Sequence, residues 1–138
     1  MRIFLDANIL FSAAYSDGAV RRLIRDLQDA DCILVADRYV IEEALRNISI
    51  HRPDAVSRFS ILVNSLKTVP ACRSTAEIPT EIQLPEKDIP VLAGAIAAGC
   101  DILMTGDSRH FGPFFGRSIG GVTIRTPLDT ARTILGQQ

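Results

Sequence analysis

Acidic residues stand at four places in the chain where carboxylates can meet. Asp6 directly follows the apolar run Ile3-Phe4-Leu5, with Asn8 two positions on. Glu42 and Glu43 sit side by side in Tyr39-Val40-Ile41-Glu42-Glu43-Ala44, Asp88 precedes Ile89-Pro90, and Asp107 closes Ile102-Leu103-Met104-Thr105-Gly106-Asp107. An Asp at the carboxyl end of a buried strand is where open α/β sheets place their ligand chemistry. Carboxylates gathered there repel one another: at a separation of about 4 Å and an effective dielectric near 20, each pair costs roughly 4 kcal/mol. A hard divalent cation relieves that repulsion, and Mg²⁺ and Mn²⁺ take oxygen ligands. The chemistry open to such a cluster is therefore metal-ion chemistry. The acids are read as having no His or Cys near them in sequence, so zinc is not expected; His110 reads as a phosphate contact or, preferably, a turn residue.

Each acid also has a simpler role. Asp6 and Asn8 can cap a short helix entering at Ile9, Asp88 can cap the helix that follows it, and Glu42 and Glu43 can belong to a solvated face. Position alone does not separate these roles. Register favours Glu43 somewhat, since it lies three residues after Val40 and borders the apolar stripe, whereas Glu42 is a step of about 100° away from it.

The elements that must position these acids follow from periodicity. Short apolar runs at residues 2–5, 32–36, 66–69, 102–105 and 122–125 read as strands buried on both faces. Between them lie amphipathic helices. Val20, Leu23, Ile24 and Leu27 mark one, opened by Ser16-Asp17-Gly18, and Val40, Ile41, Ala44, Leu45 and Ile48 mark another, with Asp37 as its N-cap. A third starts at Pro53 and buries Val56, Phe59, Leu62, Val63 and Leu66, a fourth covers residues 89–98, and a last one covers residues 127–135. Residues 71–85 have no period and read as a surface connection. Strands alternating with helices predict an α/β domain with a central, mostly parallel sheet of about five strands. The small residues Ala93, Gly94, Ala95, Ala97 and Ala98 would let the fourth helix approach that sheet closely, holding Asp88 near the strand ends.

Composition bounds the rest. A chain of 138 residues, 47% hydrophobic and 22% charged, is expected to form one domain spanning residues 1–138 around a single core. No window approaches the roughly 18 apolar residues of a membrane span, and Asp6 interrupts the N-terminal apolar run too early for a signal-peptide core. A soluble, cytoplasmic protein is expected. The formal charge is -1, which excludes a globally basic nucleic-acid binder. Only Lys67 and Lys87 are lysines among the 15 cations, so 15 minus 2 leaves 13 arginines, and Arg grips phosphate with a planar fork. Cys32, Cys72 and Cys100 read as reduced core thiols.

These motifs, in this order, resemble the PIN domain family, and the likeness runs from Phe4 to Pro127, including Ile124-Arg125-Thr126-Pro127. The resemblance implies a three-layer α/β/α fold and a Mg²⁺- or Mn²⁺-dependent ribonuclease, used in VapC-type toxins and in RNA processing. Asp6, Glu43, Asp88 and Asp107 match the family's four catalytic acids, with Glu42 the alternative to Glu43. Asp6, Asp88 and Asp107 would hold the metal, with Asp6 and Asp88 as direct ligands, and Asn8 and Thr105 would hydrogen-bond behind them. Arg109 and Arg46 are the candidates for RNA contact, with His51 and Arg52 near the second; Arg21, Arg22 and Arg25 read as a solvated face. A small antitoxin and a second copy of the chain are the implied protein partners. Two other classes compete: a PIN-like protein- or RNA-binding module without a toxin role, and an aspartyl-phosphate phosphoryl-transfer domain. Asp6-Ala7-Asn8 lacks the second acid of a D-x-D motif, which counts against the latter.

Overall fold

The computed structural model describes residues 1–72 and 74–136. The elements run β1 (Arg2–Leu5), α1 (Ala7–Tyr15), α2 (Ala19–Asp29), β2 (Ile33–Asp37), α3 (Arg38–His51), α4 (Val56–Asn64), β3 (Lys67–Val69), α5 (Ile89–Ala97), β4 (Ile102–Met104), α6 (Ser108–Phe111), β5 (Ser118–Ile119), β6 (Val122–Arg125) and α7 (Pro127–Leu135). The strands form a six-stranded sheet in the order β3-β2-β1-β4-β6-β5. All pairings are parallel except β5 with β6. Helices cover both faces, giving the three-layer α/β/α arrangement.

Burial follows position in the sheet. The central strands are shielded on both sides, so Ile3, Phe4, Leu5, Leu103 and Met104 are fully buried. β3 departs from the expected two-faced burial: it is an edge strand, and Lys67 and Thr68 are exposed. The Ala/Gly-rich α5 makes the expected close approach. A Cβ on Gly94 would lie 2.2 Å from Asp37 Oδ2 and 3.2 Å from Phe4 Cζ, so only glycine lets α5 sit this near β1 and the end of β2.

The expected strands and helices are present, with β2 one residue later than expected and a 3₁₀ turn at Pro53–Ala55 ahead of α4. Three further elements have weak local signals. α1, weighed only as a short helix entering at Ile9, buries Ala7, Ile9, Leu10, Ala13 and Ala14, and its polar side is just Asn8, Ser12 and Tyr15, too short a stripe to stand out. α6 has four residues and β5 two, below the length at which a pattern repeats. The reading of all three cysteines as core thiols needs correction. Cys32 and Cys100 are buried, but Cys72 is half-buried in the connection after β3, away from the sheet. Among the described residues no helix is long and apolar enough to cross a membrane.

Candidate metal centre

Parallel pairing of β1 with β4 places Leu5 beside Met104, so Asp6 and Thr105 leave the sheet on the same rim. The Asp6 amide completes the ladder by donating to the Met104 carbonyl at 3.1 Å. α5 brings Asp88 to this rim, and Tyr39 Oη donates to the Lys87 carbonyl at 2.7 Å, fixing the turn ahead of it. α3 brings Glu43. Asp6, Glu43, Asp88 and Asp107 line one cleft of about 560 Å³. Glu42 faces elsewhere, paired with exposed Arg38 at 2.7 Å, so Glu43 is the helix acid at the cleft.

Asp6 is 4% exposed and its carboxylate is fully engaged. Oδ1 accepts from the Ala7 amide at 2.7 Å, while Oδ2 accepts from Thr105 Oγ1 at 2.8 Å and Asn8 Nδ2 at 3.1 Å. Asn8 also ties the rim together, because its Oδ1 accepts from the Gly106 amide at 2.8 Å. Thr105 Oγ1 in turn accepts from the Asp107 amide at 3.1 Å. The two residues expected behind the acids thus orient Asp6 and the Gly106-Asp107 turn together. Burial raises the Asp6 pKa to about 6 against the lowering effect of these hydrogen bonds, and the nearby charges of Glu43 and Asp88 add to it.

Asp88 occupies the N-cap position of α5 without capping it: its side chain accepts no backbone N–H there. Asp88 is 7% exposed, and its Oδ2 is buried without a hydrogen-bond partner among the described residues. Burial raises its pKa; neighbouring Asp107 adds to the rise and His110 opposes it. His110 Nδ1 lies 2.8 Å from Asp88 Oδ2 and 2.9 Å from Asp107 Oδ2.

His110 is therefore not a simple turn residue, and an imidazole nitrogen does stand beside these acids. Asp107 caps α6 by accepting the His110 amide on Oδ1 at 3.1 Å, and that single helical turn carries the imidazole back over the acids. A His three residues after an Asp shares its face of a helix, a spacing that could have revealed the pair. Asp88, Asp107 and His110 offer donor atoms that all lie within 4.8 Å of one another. Two carboxylates and an imidazole so placed form a credible cation site, and the orphaned Asp88 oxygen fits one.

The expected RNA contacts fare differently. Arg109 and Arg46 are exposed and do not line the cleft; Asn47, His51 and Lys87 do. Arg21, read as solvated, is instead structural: its Nε donates to the Ala13 carbonyl at 2.7 Å. Arg58 Nε donates to the Ala14 carbonyl at 3.0 Å, and Arg52 donates to that of Tyr15 while stacking on its ring at 5.1 Å. Three arginines thus satisfy carbonyls that the end of α1 leaves without helical partners.

No protein-family model matches the chain, and no curated protein matches it in sequence. Solved structures do match its fold. VapBC2 from Rickettsia felis, bound to a DNA fragment from the promoter, aligns with TM-score 0.70 and 17% identity over 91% of this chain and 98% of that one. VapC20 of Mycobacterium tuberculosis, described as a toxin cleaving the sarcin-ricin loop, aligns with TM-score 0.58 and 10% identity over 78% and 91%. FitAcB from Neisseria gonorrhoeae aligns with TM-score 0.61 and 14% identity over 91% and 98%.

Proposed function

We propose that this chain, whose fold is the PIN-like fold of the VapC structures, is a metal-dependent endoribonuclease and the toxin of a toxin–antitoxin pair, acting as one domain over residues 1–138 in the cytoplasm. The observation that carries the reading is the convergence of Asp6, Glu43, Asp88 and Asp107 on one cleft with a buried, unpartnered oxygen on Asp88. Like charges gathered at such a rim are costly without a cation, and an oxygen-rich set accepts Mg²⁺ or Mn²⁺. Asp6, Asp88 and Asp107 would hold the ion, and Glu43 would complete the site directly or through water.

The ion would supply Lewis-acid activation of the attacking water and would stabilise charge developing on the phosphate. The protein does the positioning. Asn8 and Thr105 hold the Asp6 carboxylate in one orientation, so little reorganisation accompanies binding. Lys87, Asn47 and His51 line the cleft as hydrogen-bond and charge partners for the RNA backbone, with Arg46 and Arg109 beyond its edge. Two protein partners belong to this reading: a small antitoxin, and a second copy of the chain meeting the exposed apolar side chains Tyr15, Leu45, Ile50 and Ile61 of α1, α3 and α4.

Purified protein incubated with structured and unstructured RNA in Mg²⁺, Mn²⁺ or chelator tests the activity. Cleavage is expected with either ion and not with chelator. Asp88→Asn should lower it at least about 100-fold, the upper end of what loss of an outer-shell metal partner costs, with an unchanged circular dichroism spectrum. Cleavage surviving excess chelator would overturn the mechanism. Expression in a host should arrest growth, and co-expression of a small antitoxin encoded beside this chain's own gene should relieve it.

A further inference from the structure

We propose that His110 is a direct metal ligand, and that Asp88, Asp107 and His110 Nδ1 together form a mixed carboxylate–imidazole site selective for a first-row transition ion of the Mn²⁺ class over Mg²⁺. The inference rests on the reading that this rim holds a divalent cation, and adds the identity of one ligand and the class of ion.

The geometry at Nδ1 carries it. The atom is within 2.8 Å and 2.9 Å of one oxygen from each of two carboxylates, distances at which a hydrogen bond would be expected. Yet neither contact is a well-directed hydrogen bond: among the described residues, buried His110 Nδ1 and Asp88 Oδ2 meet only as a charge pair, its attraction opposing the rise that burial gives the Asp88 pKa. Two orphaned atoms side by side in a part-buried site are costly as they stand. They make sense as donors whose lone pairs converge on a third party. Neighbouring ligands of an octahedral ion with bonds of about 2.1 Å sit about 3.0 Å apart, close to the spacings here.

The arrangement is held from several sides. The His110 amide bonds to Asp107 Oδ1, leaving Oδ2 to face the imidazole. Asp88 is fixed at the head of α5 behind the Tyr39 bond to Lys87. Asp6 differs, because both its oxygens already accept hydrogen bonds from protein groups. His110 thus joins Asp88 and Asp107 on the ion, and Asp6, whose Oδ1 accepts only the Ala7 amide, keeps a lone pair with which to complete the set. Imidazole nitrogen suits transition ions, of which Mn²⁺ is the most oxygen-seeking and so accepts a mixed set, whereas Mg²⁺ keeps to oxygen and water. The presence of His110 therefore separates ions that an all-carboxylate cleft would hold similarly.

Electron spin-echo spectroscopy of the protein with one equivalent of Mn²⁺ reads the ligand directly. A directly coordinated ¹⁴N modulation is expected, replaced by a ¹⁵N coupling when histidine is ¹⁵N-labelled. It should disappear in His110→Gln and persist in His51→Gln, which changes the other histidine. Calorimetry should show Mn²⁺ binding weakened about 10- to 100-fold by His110→Gln and Mg²⁺ binding weakened far less. Mn²⁺ binding without nitrogen modulation, or equal losses for both ions, overturns the inference. If the modulation is present but RNA survives, the ribonuclease reading fails and the ligand assignment stands. If RNA is cleaved without modulation, the reverse holds.

Discussion

Asp37 shows how much a single carboxylate can cost away from the cleft. It is fully buried at the junction of β2 and α3; Oδ1 caps α3 by accepting the Val40 amide at 3.1 Å, but Oδ2 has no partner and faces Gly94. Burial raises its pKa, outweighing the hydrogen bonds from the α3 backbone that lower it. An acid whose folded value is raised stabilises the fold fully below its unfolded value, near 3.9, and loses that contribution as pH rises through the folded value. Asp37→Asn keeps a good cap and gives up a favourable helix-dipole charge of about 0.3–1 kcal/mol, but removes the buried charge. It should be more stable than wild type to urea at pH 7, with the gap closing towards pH 3; a gap that does not change with pH would refute the buried-charge account. Asp37 was legible in the sequence only as a cap. Asp6, Asp88 and Asp107 were legible as site candidates because a carboxylate at a strand or helix end points at the rim whatever the details of packing. His110 was legible only through its i,i+3 spacing from Asp107, because a four-residue helix leaves no periodic trace to show that the spacing is helical.

At the scale of the elements, α5 couples the core to the cleft. Its glycine lets it rest on Asp37 and Phe4, and its first turn carries Asp88, so the depth at which it packs sets where that carboxylate stands. Gly94→Ala places a methyl group into Asp37 Oδ2, and overpacking of this kind costs about 1–3 kcal/mol. The helix must lift or Asp37 must move. We expect a lower urea midpoint together with weaker Mn²⁺ binding, because lifting α5 withdraws Asp88 from Asp107 and His110. Ala97→Gly, at the exposed last residue of the same helix, should cost less than the roughly 1 kcal/mol of a helix interior and leave Mn²⁺ affinity as it was. Equal metal affinity in both variants and wild type would show that α5 and the cleft are not coupled. The small-residue run announced the close packing, and the strand-helix alternation announced the layers. The partner across the packing, and the apolar α1 that closes the cleft's other side, depended on tertiary contacts that no local pattern records.

For the whole molecule, the formal charge of -1 conceals an uneven distribution. Asp6, Glu43, Asp88 and Asp107 contribute -4 at the cleft, so the remaining residues sum to +3, since -1 minus -4 is +3. At physiological ionic strength charges are screened beyond about 8 Å, so an incoming phosphate responds to the cleft before it responds to the total. Without an ion the cleft repels it. One divalent cation reduces the local charge from -4 to -2, and a second brings it to zero, leaving the surrounding cations free to attract the RNA backbone. Arg21, Arg52 and Arg58 keep their charge but are held by the carbonyls of α1, so they do not swing out to meet a phosphate. Attraction then falls mainly to Lys87 in the cleft and to exposed Arg46 and Arg109. Fluorescence anisotropy with a labelled single-stranded RNA should show weak binding in chelator and tighter binding in Ca²⁺, an oxygen-seeking ion. In Ca²⁺, log K should fall with log salt by about 0.7 for each phosphate contacted, and the slope should shrink by about that amount in Lys87→Gln. Binding as tight in chelator as in Ca²⁺ would mean that the RNA is held on a surface away from these acids.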